Sequence, residues 1–281
     1  MHSAIYDTFK DLGEAAWVEV ICDTPQQRES LDIVFPGFPD AQIQENMVGG
    51  VGEAALREAS HFYMNLHYYL RLAGIKFTPH TRVLDFGCGY GRTLRFFMKD
   101  VAPGNLIGTD VNNGFIEICK NTFQEGVFDL NGPYPPLEYD DASFDIIYAY
   151  SIFTHLSEDA HKKWLKEFRR LIRPGGMIFI TLRQKEFLLQ CHAMRSAVAN
   201  NDYRKHLVSA FGDLKSTLPG YVRGEYLYEV YRKNIKISEY YGDSVIPPAY
   251  IARHWGEFFS SFDSFDDPKR LAQALIVLRP K

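Results

Sequence analysis

Paired cysteine is the first thing this chain of 281 residues lacks: Cys22, Cys88, Cys119 and Cys191 are scattered, and no two form a C-x-x-C pair. That excludes a disulfide scaffold and a cysteine-based zinc cluster, and it fits a reducing compartment. No other metal-ligating constellation is visible. Long apolar runs are missing as well: none approaches the roughly 18 residues of a membrane-spanning helix. The start of the chain, MHSAIYDTFKDLGEAAW, carries acids and has no long apolar centre, so it does not read as a signal peptide. A large charge of one sign is also absent. Lys+Arg of 31 against Asp+Glu of 35 gives −4, which disfavours nucleic acid as a partner. There is no internal repeat and no low-complexity tract. These absences predict a soluble, cytoplasmic protein with no membrane span.

A hydrophobic content of 46% with 23% charged residues suits a globular chain with a real core. Residues 1–80 read as an N-terminal extension. Its clearest part is 53–72, where Leu56, Ala59, Tyr63, Leu66 and Leu70 keep helical spacing and Gly74 can end the helix. A different rhythm runs from 81 to 182. Apolar strands at 82–86, 105–110, 144–149 and 177–182 alternate with helices at 92–99, 115–123 and 157–172. Ser157 stands ready to cap the last of these. Such alternation predicts an α/β fold with a parallel sheet covered on both faces. Residues 183–250 read as a mixed helical insertion, with six tyrosines within 221–241: Tyr221, Tyr226, Tyr228, Tyr231, Tyr240 and Tyr241. They suit either a lid over a ligand or a small satellite core. Residues 251–281 end in two strands, near 258–265 and 273–278.

The most informative segment is Val83-Leu-Asp-Phe-Gly-Cys-Gly-Tyr-Gly-Arg92. A strand runs into Gly87-x-Gly89-x-Gly91 and then a helix, so backbone N–H groups and a positive helix end meet a ligand that can come close. A dinucleotide site wants G-x-G-x-x-G here, but Arg92 stands where the third glycine belongs. Asp85 sits two residues before the loop. A carboxylate there repels a pyrophosphate and favours a cationic amino group. The loop therefore suits an amino-acid–nucleoside ligand. Asp110 ends the second strand, where a carboxylate can accept both ribose hydroxyls, a feature shared by nicotinamide and nucleoside sites.

Asp85-x-Gly87-x-Gly89-x-Gly91 resembles the first motif of the class I S-adenosylmethionine-dependent methyltransferases, and Asp110 falls where that family keeps its ribose acid. Three further segments agree. They are Pro136-Leu-Glu-Tyr-Asp-Asp-Ala-Ser-Phe-Asp145 before the fourth strand, Tyr148-Ala-Tyr-Ser-Ile-Phe-Thr-His155 after it, and Leu171-Ile-Arg-Pro-Gly-Gly176 before the fifth. The resemblance covers 81–182, with 273–278 as the family's last strand. It implies a Rossmann-like, seven-stranded, mostly parallel sheet with helices on both faces and an antiparallel last strand. It also implies S-adenosylmethionine as methyl donor and S-adenosylhomocysteine as product. By the same resemblance, Gly87, Cys88, Gly89 and Gly91 lie against the donor's methionine part, and Asp85 supports the loop or the amino group. Val111 packs on the adenine and Asn131 lies near it, while Ala149, Tyr150 or Ser151 line the methionine end.

No N-P-P-Y segment, typical of amino-adenine and glutamine methylation, follows the fourth strand; Ala149-Tyr-Ser-Ile152 stands there. The expected reaction is methyl transfer to an oxygen of a small molecule or glycan, as in similar bacterial methyltransferases. His155, at the carboxyl edge of the sheet, is the candidate base for a substrate hydroxyl, and Tyr150 is the second catalytic candidate. Each has a plainer alternative, helix entry or packing. Cys88 reads as a small filler, Arg92 as either an ion-pair partner or a substrate contact, and His254 and Trp255 as packing. Two other functions stay open, a donor-binding partner subunit without catalysis and a nicotinamide-dependent oxidoreductase. The first is separated by turnover; Asp85 and Arg92 speak against the second.

Overall fold

The computed structural model describes residues 4–23, 33–196, 202–231 and 239–281. The rest of the N-terminal extension (1–3 and 24–32) and of the insertion (197–201 and 232–238) lies outside the described residues. Seven strands form one sheet in the order β3-β2-β1-β4-β5-β9-β8, as a Rossmann-like fold requires. By compactness the chain divides into two units, residues 1–132 with 143–150, and residues 133–142 with 151–281.

The first unit carries helices α1 (Ala4–Phe9), α2 (Glu14–Cys22), α3 (Ala41–Val48), α4 (Glu53–Leu72) and α5 (Asn113–Thr122). Its strands are β1 (Val83–Phe86), β2 (Leu106–Asp110), β3 (Val127–Leu130) and β4 (Phe144–Ala149). All three strand pairings here are parallel: β1 with β2, β1 with β4, and β2 with β3. The continuous apolar character of β1, β2 and β4 follows from burial on both faces. Helix α4 occupies the predicted span and buries Leu56, Ala59, Phe62, Tyr63, Leu66 and Leu70. The described part of the N-terminal extension packs into this unit: Trp17 is fully buried and its indole N–H donates to the Phe96 carbonyl at 2.6 Å.

The segment predicted as a helix over 92–99 is a 3₁₀ helix over Leu94–Lys99. Amide donations such as Phe96 to Thr93 and Asp100 to Phe97 tighten it, and every one of its side chains is buried. Packing on all sides overrides the looser α pitch there. Strand β3 had no signal in the sequence pattern, because two of its four residues are exposed.

The second unit holds α6 (Glu158–Leu171), β5 (Ile172–Leu182), α7 (Lys185–Ala193), α8 (Asp202–Phe211), α9 (Leu214–Arg223), the short pair β6 (Leu227–Glu229) and β7 (Asp243–Val245), α10 (Pro248–His254), β8 (Phe259–Phe265) and β9 (Ala274–Pro280). Ser157 caps α6, its hydroxyl accepting from the Ala160 amide at 3.4 Å. Strand β5 begins before the predicted span of 177–182 and takes in Pro174-Gly175-Gly176. It pairs antiparallel with β9, which pairs antiparallel with β8. The insertion has its own satellite core of Leu188, Cys191, Leu207, Phe211 and Val245, on which Tyr221 packs. No described helix is long and apolar enough to cross a membrane.

Candidate functional site

In the first unit the donor-side candidates gather around the turn after β1. The amides of Gly87 and Cys88 both donate to the Thr109 carbonyl, at 2.8 and 2.9 Å, which ties the loop to the end of β2. Asp110 accepts from the Gly89 amide at 2.9 Å on Oδ2 and from the Asn112 amide at 2.8 Å on Oδ1. The Val111 backbone is a third donor to this carboxylate, which still has acceptor capacity left for a hydroxyl. Burial pushes the Asp110 carboxyl up, and these backbone donors oppose that shift. Val111 follows at 46% exposure, an apolar surface open to a flat ring. Asn131 is brought to the same place, its amide donating to the Asp110 carbonyl at 3.0 Å.

Gly89 has φ +55°, and a Cβ there would lie 1.9 Å from the Met47 methyl carbon of α3. Gly91 has φ +75°, and its Cβ would meet the Phe123 ring at 2.5 Å. Both positions therefore need glycine for conformation and for space. The Cys88 thiol is buried, with Cys119 beside it, and both factors push it well up, which suits a filler and not a nucleophile.

Asp85 is buried at the end of β1, and its Oδ2 has no hydrogen-bond partner. Burial raises its carboxyl to about 8, although the neighbouring Tyr148 hydroxyl and Arg92 favour ionisation. A buried acid of this kind is what a cationic ammonium group of a ligand would neutralise. The residues present thus fit a donor with an amino-acid end and a ribose.

Tyr150 ends β4. Its ring stacks on Phe62 at 4.7 Å and 11°, and its hydroxyl donates to Glu58 of α4. Arg92 pairs with the same carboxylate, donates to the Ala55 carbonyl at 3.0 Å and lies over the Tyr150 ring at 5.3 Å. Burial drives the Tyr150 hydroxyl far above its ordinary range, so it holds its proton. Of the two readings of Arg92, the structure shows the ion pair. Glu58 was invisible in the sequence, as one acid on an amphipathic helix.

The second unit contains Ser151 and His155. Ser151 stands at φ +64°, rare for a residue with a Cβ. Three hydrogen bonds hold it. Its amide donates to Thr181 Oγ1 at 2.7 Å, Thr181 donates to Gln273 Oε1 at 2.7 Å, and Gln273 Nε2 donates to Ser151 Oγ at 2.8 Å. Strain kept in place by such a ring of bonds points to a functional constraint.

His155 Nδ1 lies 2.9 Å from the Gly242 carbonyl and 3.4 Å from Asp243 Oδ1, and its ring stacks on Tyr241 at 4.9 Å and 6°. Asp243 also pairs with Arg183 at 2.6 Å, accepts the Tyr203 hydroxyl and lies 3.5 Å from His206 Nε2. Burial raises its carboxyl, but the His155 hydrogen bond and the Arg183 charge prevail and hold it at about 2. No motif spacing joins Asp243, Arg183 and Tyr203, so they did not stand out as a group in the sequence.

The tyrosines of 221–241 make different contacts. Tyr221 belongs to the satellite core and Tyr226 donates to the Leu156 carbonyl at 2.8 Å, whereas Tyr241 is 44% exposed against His155. Trp255 is buried and donates to His161 Nε2 at 2.8 Å, a packing role. His254 lies against Tyr250 at 4.2 Å.

Residues 83–176 match a family described as a methyltransferase domain. Among curated relatives, the chain is 26% identical over 135 residues to a phthiotriol/phenolphthiotriol dimycocerosates methyltransferase of Mycobacterium ulcerans, covering 47% of this chain and 46% of the relative. It is 35% identical over 104 residues to a tRNA (carboxymethyluridine(34)-5-O)-methyltransferase of Arabidopsis thaliana, covering 36% and 23%. The matches thus span less than half of these relatives. Among solved structures, an S-adenosylmethionine-dependent methyltransferase of Clostridium acetobutylicum shares the fold with a TM-score of 0.52 at 10% identity, over 85% of this chain and 97% of that one.

Proposed function

Residues 83–176 are a methyltransferase domain of the class I S-adenosylmethionine-dependent family, and from that premise we propose that the protein transfers a methyl group from this donor to a hydroxyl oxygen of a small molecule or glycan. The observation that carries the donor half is the Asp110 carboxylate at the end of β2, anchored by the Gly89 and Asn112 amides with acceptor capacity left for a hydroxyl. In this reading Asp110 holds the ribose, Val111 and Asn131 flank the adenine, and Gly87, Cys88, Gly89 and Gly91 carry the methionine part. Asp85 faces its ammonium group, and Tyr150 shapes the backbone beside it. The donor, when bound, supplies a methyl group activated by its sulfonium charge and leaves as S-adenosylhomocysteine. The chain's own work is then to orient the acceptor, exclude water and take a proton.

His155 is the residue for that proton. The carbonyl of Gly242 can only accept, so Nδ1 carries hydrogen and Nε2 presents a lone pair. A base is needed when the acceptor is a hydroxyl, which is why this geometry favours oxygen. Tyr150, whose hydroxyl is engaged by Glu58, lines the site without moving a proton.

The test is transfer of labelled methyl from S-adenosylmethionine to a panel of sugars, phenols and a carboxymethyluridine nucleoside. The nucleoside is included because one relative's name specifies that acceptor in tRNA. Label on an oxygen, with a loss of roughly 100-fold in His155→Ala, is expected. Label on nitrogen or carbon, or full activity in the variant, contradicts the reading.

A further inference from the structure

The segment 241–243 grips His155 from four directions. Tyr241 covers the ring face at 4.9 Å, the Gly242 carbonyl takes Nδ1–H at 2.9 Å, the Gly242 amide donates to the His155 carbonyl at 2.7 Å, and Asp243 Oδ1 stands 3.4 Å from Nδ1. The run is stitched to its neighbours on both sides. The Ser157 amide donates to the Tyr240 carbonyl and the Ser244 amide to the Thr154 carbonyl, each at 2.9 Å. A merely structural Asp243 would be fully served by Arg183 and Tyr203. Those two contacts do not account for an imidazole aligned on the same oxygen with its other nitrogen unengaged among the described residues. The side chain of His155 is 17% exposed while that of Asp243 is 2% exposed, so the carboxylate is hidden behind the ring.

We infer that Asp243 is the positioning residue of His155: together with the Gly242 carbonyl it holds the imidazole in the Nδ1–H form with Nε2 as proton acceptor, and its charge stabilises the imidazolium once the proton arrives. This is the logic of a base oriented by a buried acid behind it. Arg183 and Tyr203 act one step further back by keeping the carboxylate ionised and still. The exposed Tyr241 ring, stacked on the base, would give a hydroxylated acceptor an apolar wall next to a proton acceptor.

The inference rests on the oxygen-methylating reading, but its first test needs neither donor nor acceptor. Histidine-selective ¹⁵N NMR on the full chain at pH 8, with His155→Gln assigning the signal, reads the tautomer directly. The expected result is a single Nδ1–H form in the wild type and a mixture of forms in Asp243→Asn, with Asp243→Glu restoring at least part of the wild-type signal. An Nε2–H form in the wild type, or an unchanged spectrum in Asp243→Asn, overturns the inference. If Asp243→Asn fails to fold, Asp243→Glu carries the same comparison with the wild type. With an acceptor in hand, Asp243→Asn should lower kcat roughly 100-fold while KM and donor affinity stay within about threefold. In the His155→Ala background, the second change should cost nothing more. Loss of donor affinity together with kcat would mark a structural role instead. Absence of donor binding in the wild type would defeat the methyltransferase reading and leave the tautomer result standing.

Discussion

The donor-side cluster of the first unit and the His155 cluster of the second are built by different means. Around Gly87–Gly91 the contacts are made by backbone: amides of Gly87, Cys88, Gly89 and Asn112 and carbonyls of Thr109 and Asp110. Around His155 they are made by side chains from far along the chain, Asp243, Arg183, Tyr203 and Tyr241. A backbone site is tied to the few residue types that permit its conformation, so it writes itself into sequence. A side-chain site can be assembled from ordinary residues at arbitrary spacing.

This contrast can be broken by mutation. The largest effect is expected from Asp110→Ala, which removes two anchors of the loop and both ribose acceptors. Donor affinity should fall about 100-fold, near 3 kcal/mol, measured by calorimetry. The His155 tautomer should not change, because it is set within the second unit.

Next is the acid stability of the second unit. Asp243 has its carboxyl lowered to about 2 in the folded chain, against about 3.9 when unfolded. Its contribution, about 2–3 kcal/mol, is therefore present above pH 4 and lost as pH falls toward 2. Unfolding free energy followed across that window should drop less steeply in Asp243→Asn than in the wild type.

Gly89→Ala is expected to destabilise the first unit by about 1–2 kcal/mol, through its positive φ and the Met47 contact. Thermal melts of Gly89→Ala with Met47→Ala should recover only the steric part.

The last effect is a slope against pH and concerns Asp85. Its carboxyl is raised to about 8 by burial, so the folded state binds more protons than the unfolded one between about pH 4 and 8. Stability should fall as pH rises through that window, by up to about 1.4 kcal/mol per pH unit, and Asp85→Asn should flatten the slope. Calorimetry at pH 7 in buffers of different ionisation heat should show proton release on binding of S-adenosylhomocysteine, lost in the same variant.

How legible the fold was follows the same division. Strands β1, β2 and β4 and helix α4 stood out because burial imposes either continuous apolar runs or a helical stripe. Strand β3, half exposed, did not. Asp85, the glycines and Asp110 were readable from order and spacing alone. His155 stood out as a candidate by its place after β4, whereas the contact of Asp243 with it did not, since no motif spacing joins the two. The bonds of Ser151 to Thr181 and Gln273 were hidden for the same reason.

The most direct measurement is a calorimetric titration of S-adenosylhomocysteine into the wild-type chain and Asp110→Ala, with NADH as control. Saturable binding to the wild type, lost in the variant and not reproduced by NADH, is predicted. Binding of NADH in its place, or no binding of S-adenosylhomocysteine to the wild type, would contradict the assignment of the glycine loop as a methyl-donor site.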